Sequence, residues 1–189
     1  AKMQFDNLLK IANLSIKEYA VIYSSFGDVA FDNKDYSIAK ENYIKSNELS
    51  KSLYIEIAIA ICEYYEAFKV IEDNGHVSFE NIDFDILNSA KDKFEVIYRD
   101  RTPDTIQTIV KMSLTFYFSI LVIINDFRKV LSLYNETKEY FEIGMIEAKK
   151  FVADAEVATG VLTKDILEDF EEYDRIKYEA LYLDVIKRY

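Results

Sequence analysis

The stretch YSSFGDVAFDNKDYSIAKENYIKS, residues 23–46, decides the fold class. Before Asn33-Lys34-Asp35, the side chains of Tyr23, Phe26, Gly27 and Ala30 recur three or four residues apart. After it, Tyr36, Ala39, Tyr43 and Ser46 do the same. That is the helical period interrupted by a short polar turn, and it predicts an antiparallel helical hairpin. Antiparallel helices approach closely only where one offers a small residue, so Gly27 is expected against Ala39. Just upstream, Ser15 and Glu18 form a capping-box pattern that predicts where the first of these helices begins.

The pattern recurs. Leu114, Tyr117, Phe118, Leu121, Phe127, Val130, Tyr134 and Thr137 repeat the spacing of residues 23–46, and Asp126-Phe127 matches Asp35-Tyr36 at the turn. Ala90, Phe94 and Ile97 make a partial third match. Working outward, helical periods are expected over residues 3–13, 15–31, 36–50, 53–71 and 85–99, and from Thr102-Pro103-Asp104 to Ile124. Two more fill 127–158, with a junction near Asn135–Lys138. After the Thr159-Gly160 terminator, a capping box at Asp165–Glu168 opens one long final helix to Lys187. The segment from His76 to Asp83 reads as a loop, with Val77-Ser78-Phe79 the only short strand pattern. Four Gly and one Pro in 189 residues are too few for sandwiches, barrels or glycine-rich nucleotide folds. The expectation is an all-α chain of about nine helices in antiparallel pairs. No Gly-, Pro- or Ser-rich linker divides it, so a single domain over 1–189 is expected.

Residues 20–53 resemble the tetratricopeptide repeat in Phe26-Gly27, Tyr36, Ala39 and Tyr43, with Ser46 at the small position near the end of the motif. The closing proline is absent (Lys51-Ser52), Ala30 replaces a commoner large residue, and the second copy carries Phe118 and Val130 in place of the small residues. The resemblance implies a solenoid of stacked hairpins acting as a protein–protein interaction scaffold. It places the partner-facing side of the first helix at Val21, Ser24, Asp28, Phe31 and Asp32, and of the second copy at Met112, Thr115, Ser119, Val122 and Ile123. Family members that grip a chaperone's carboxyl terminus use Lys, Arg and Asn on this side. Here Asp28 and Asp32 stand there, so a neutral or basic protein or peptide partner is expected.

The charge excludes other classes. With 34 acidic and 23 basic residues the chain carries −11, which repels nucleic-acid phosphate and anionic lipid. Neither nucleic-acid nor membrane binding is expected. Met112–Ile124 is apolar on nearly every face but falls short of the ~20 residues of a membrane span. It is either the domain's central helix or a homodimer face through Phe116, Ile120 and Ile123. Lys2–Asp6 leads into an amphipathic pattern rather than an apolar leader, and a cytoplasmic location is expected.

No reaction is legible. One Cys and one His cannot build a Cys/His zinc site. Glu72–Glu80 has the composition of the middle of a calcium loop, but Val70 and Asn81 stand where the end ligands belong. His76 has no catalytic neighbour at recognisable spacing. Cys62 lies on an apolar helix and is expected to be buried and inert. Arg99 and Arg101 before a helix start are an anion-site motif, with surface arginines the simpler reading. The acidic pairs around Phe170 and Tyr173 are expected on a solvated face, with the two aromatics turned inward. No catalytic residue, metal or cofactor is assigned.

Overall fold

The computed structural model describes residues 14–73, 76–102, 105, 107–141, 145–168 and 170–187, and for 69–81 and 146–147 the backbone alone. The helix expected over 3–13 and the Pro103-Asp104 pair lie outside the described residues. The chain divides into two compact units, Ala1–Asp100 and Arg101–Tyr189. Among the described residues there are nine helices and one two-stranded antiparallel sheet.

The first unit comprises α1 (Ile16–Asp32), α2 (Tyr36–Leu49), α3 (Leu53–Ala67), β1 (Phe68–Asp73), β2 (His76–Ile82) and α4 (Phe84–Arg99). Both halves of the capping box at the start of α1 are made: the Ser15 hydroxyl accepts from Glu18 N–H at 3.3 Å, and Ser15 N–H donates to the Glu18 carboxylate at 2.7 Å. Successive helices pack in order, α1 on α2, α2 on α3 and α3 on α4. The first three share a core that contains Ala30, Ala39, Tyr43, Ile55, Ile59 and Cys62. Each junction carries a polar link as well. Ser46 donates to the Ala20 carbonyl at 2.8 Å, Lys40 pairs with Glu66, and Glu63 takes Lys93 and Ser89 at 2.8 and 3.0 Å.

The small residue of α1 works as expected but meets a different partner. A Cβ added at Gly27 would lie 2.4 Å from Cε1 of Tyr43, so it is the tyrosine ring, rather than Ala39, that fills the space over the glycine. Ala39 is itself fully buried. The third helix also stops four residues early. It ends at Ala67, and Phe68–Asp73 and His76–Ile82 pair as antiparallel strands where a helix end and a loop are expected; Phe68 pairs with Ile82 and Asp73 with His76. β-Branched Val70 and Ile71 favour the extended backbone over a continued helix.

The second unit comprises α5 (Gln107–Ile123), α6 (Phe127–Phe141), α7 (Ile146–Ala158), α8 (Lys164–Leu167) and α9 (Glu172–Ile186). Its centre is α7, which touches α5, α6, α8 and α9. The α6–α7 junction lies beyond Phe141, not at Asn135–Lys138. Thr137 is buried in mid-helix with its hydroxyl donated to the Leu133 carbonyl at 2.7 Å, so that polar cluster does not break the helix. Gly160, at φ +75°, terminates α7 as expected.

The final helix is two pieces rather than one. Glu156, only 6% exposed, accepts from Thr163 N–H at 2.8 Å and from its hydroxyl at 3.0 Å, which fixes the start of α8 at Lys164 rather than at an Asp165 cap. The chain then turns so that Phe170 is buried against the Tyr178 ring. Glu156→Ala is expected to lower the stability of this unit by about 2 kcal/mol, and Glu156→Gln, which keeps one acceptor, by about half that, read by chemical denaturation.

Candidate partner-binding face

The turns of the two hairpins that the repeat predicts are alike, although α1 packs closely on α2 whereas α5 packs more on α7 than on α6. The α1–α2 and α5–α6 turns are offset by 91 residues, as Lys34 is from Asn125. Both take the left-handed conformation there, at φ 64° and 59°. Lys34 N–H reaches the Phe31 carbonyl and Asp35 N–H the Ala30 carbonyl, at 2.8 and 2.9 Å. Asn125 and Asp126 make the equivalent bonds to Val122 and Leu121 at 3.0 and 2.8 Å. Both are Schellman turns, which satisfy the orphan carbonyls at the helix end. Burial agrees too: Gly27 and Phe118, Ala30 and Leu121, Ala39 and Val130, and Ser46 and Thr137 are all buried.

With Ala20, Gly27 and Ala30 turned inward, α1 presents Val21, Ser25, Asp28 and Asp32 outward; Val21 is 63% exposed, and both aspartates are exposed. Ser24 is half-buried and donates to the Val21 carbonyl at 2.8 Å. Asp28 accepts the Tyr43 hydroxyl at 2.8 Å, and burial together with that carboxylate pushes the phenol above its ordinary range, keeping it a donor. Asp32 stands in the last turn of α1, and no basic residue shares that turn. A carboxylate at the negative end of a helix dipole is destabilising, so Asp32 is not what stability alone would select.

Phe31 is half-buried, and its ring meets Tyr36 and Tyr65 edge-on at 5.3 and 5.9 Å between centroids. Tyr36 and Tyr65 stack at 4.8 Å, and Tyr65 remains 37% exposed. Phe31 therefore belongs to a three-ring cluster linking the end of α1 to the end of α3, beside the aspartates. Tyr36 and Tyr65 were not among the expected site residues. Tyr65 shares a stripe with Tyr54, Ala58 and Ile61 on α3, but its closeness to α1 is a tertiary fact.

The second expected face differs. Ser119 is 7% exposed and sits inside the unit, which removes it from any open face, and Met112, Thr115, Val122 and Ile123 are half-buried. The Thr115 hydroxyl is donated back to the Lys111 carbonyl at 2.9 Å. In the alternative docking triplet, Ile120 is fully buried while Phe116 and Ile123 are half-buried. α5 thus fills the interior of its own unit.

The other motifs resolve as follows. Cys62 is fully buried, and burial with the nearby Glu66 charge pushes its thiol up to about 12. Arg99 pairs with Glu95, and Arg101 donates to the Tyr140 hydroxyl at 3.3 Å. Phe170 is buried, but Tyr173, expected inward with it, is 78% exposed because the break before α9 turns it outward. An open cleft of about 290 Å³ is lined by Lys164, Leu167, Glu168, Arg175 and Glu179. Among the described residues no group of His, Cys, Asp or Glu could hold a metal ion, and no helix is long and apolar enough to cross a membrane. No protein-family model, curated protein or solved structure matches the chain.

Proposed function

We propose that the chain is a protein–protein interaction scaffold of tetratricopeptide-like type, whose first unit holds a neutral or basic polypeptide segment on the outward face of α1. The observation that carries this is the stripe Val21, Asp28 and Asp32 beside the Phe31–Tyr36–Tyr65 rings. It offers two carboxylates on the exposed side of a helix whose last turn has no basic residue, next to the exposed ring of Tyr65. A lysine or arginine of the partner answers the carboxylates, and an apolar or aromatic side chain packs on Tyr65. The matching turns of the two hairpins and the shared burial of their small positions support kinship with a repeat architecture, with the ligand face kept only by the first hairpin.

Asp32→Lys separates binding from folding. It puts a cation at the negative end of α1, so stability is expected to rise by up to about 1 kcal/mol. On an array of basic, neutral and acidic peptides, affinity for basic sequences is expected to fall at least about fivefold. Unchanged peptide binding in Asp32→Lys and Asp28→Lys would remove this face from the proposal.

A further inference from the structure

The first hairpin can be compared with the second position by position, because their turns share one backbone. An offset of 91 residues sets Ser119 against Asp28, Val122 against Phe31, Ile123 against Asp32 and Phe127 against Tyr36. The turn forms with either set, at φ 64° and 59°, so the fold of the turn does not call for the aspartates. A residue common to both turns is also used differently. Asp126 Oδ1 accepts from Lys129 N–H at 3.2 Å, whereas Asp35, at the same place before α2, makes no side-chain cap bond. An aspartate at that position ordinarily accepts from the first turn of its helix. Neither Asp32 nor Asp35 forms an ion pair with another described residue.

Each of these carboxylates is one residue from a ring of the aromatic cluster, Asp32 from Phe31 and Asp35 from Tyr36. Tyr36 and Tyr65 lie nearly parallel, 15° apart, and Phe31 stands across the edges of both. Tyr64 meets Tyr65 edge-on at 5.4 Å and leans in turn on Phe68 at 4.9 Å. Five rings therefore brace one another, and Tyr65, 37% exposed, is held in one orientation by its neighbours. On the partner-binding reading of α1, on which this rests, we propose that the braced Tyr36–Tyr65 pair selects arginine over lysine in the partner segment. The basic side chain that answers the carboxylates and the side chain that packs on Tyr65 are then one residue. A guanidinium is planar and weakly hydrated, so it lies flat on a ring while its N–H fork reaches a carboxylate at the rim. An ammonium is a compact, strongly hydrated point charge and gives up one contact to make the other. The aspartates set the sign of the partner, and the ring sets the choice between the two cations. An ammonium over a tyrosine still gains some attraction, so the preference is about fivefold rather than absolute.

Calorimetric titration of the full chain with two matched peptides tests it. Both carry the sequence of the tightest basic peptide from the array, one with arginine and the other with lysine at every basic position. The arginine peptide is expected to bind at least about fivefold more tightly. Tyr65→Leu should abolish that ratio, and Tyr65→Phe, which keeps the ring face, should preserve it. A loss of folded protein in Tyr65→Leu would weaken both peptides alike and leave the ratio unchanged, so the ratio separates recognition from stability. Equal affinities for the two peptides, or an arginine advantage that survives Tyr65→Leu, would overturn the selection of arginine and leave the α1 face standing. Binding of neither peptide would overturn both.

Discussion

Tyr43→Ala is expected to destabilise the first unit by about 4 kcal/mol, a large share of the ~5–15 kcal/mol available to a domain. The ring is 3% exposed, lies over Gly27 and holds the α1–α2 junction through Asp28. Tyr43→Phe keeps the ring and loses only the hydroxyl's bond, so about 1 kcal/mol is expected. Gly27→Ala reaches the same contact from the other side. Alanine gains up to ~1 kcal/mol of helix propensity over glycine. A Cβ 2.4 Å from a buried ring cannot be accommodated without moving it, at a cost of ~1–3 kcal/mol, so net destabilisation is expected. In a Tyr43→Leu background the same Gly27→Ala change should become neutral or favourable. Urea denaturation of the four-member cycle reads the coupling. An additive cycle would show that ring and glycine do not share the space.

Cys62 supplies the second large effect and a probe of the first unit alone. It is the chain's one cysteine and is fully buried in that unit's core. Raising the thiol from 9.0 to about 12 leaves about a thousandfold less thiolate near neutral pH. Occlusion slows attack further. Reaction with a disulfide reagent in native buffer is therefore expected to be at least about a thousandfold slower than in denaturant. The rate should rise in step with destabilisation by Tyr43→Ala or Gly27→Ala. Fast native labelling would place Cys62 at a surface.

Much of the fold was legible because local chemistry and tertiary demand agreed. Ser15 and Glu18 cap α1 as their spacing implies, and the polar turns after Asp32 and Ile123 end helices because Lys34 and Asn125 adopt left-handed backbone there. Misreadings arose where the two disagreed. Glu72-Asp73-Asn74-Gly75 reads as a helix stop, yet Glu72 and Asp73 end β1, paired with Val77 and His76, and Asn-Gly is also a strong short-range hairpin signal. The division of the last helix is set by the burial of Phe170 and the Glu156–Thr163 link, which couple distant positions that no helical period records. Asp28 and Asp32 stood out as charges within an otherwise small and apolar repeat. Tyr65 could not be placed beside them without knowing that α3 returns to the end of α1. Phe31 lies at the border of buried and exposed sides, where the spacing does not distinguish ligand contact from core.

The central claim is that the outward side of α1 and the adjoining rings receive a polypeptide. Its most direct test is titration of the isotopically labelled chain with the tightest basic peptide from the array, followed by amide chemical shifts. Perturbations concentrated at residues 21–36 and around Tyr65, and lost in Asp32→Lys, are the predicted result. A bound peptide that shifts other amides and leaves these unmoved, or basic peptides that bind no better than acidic ones, would contradict it.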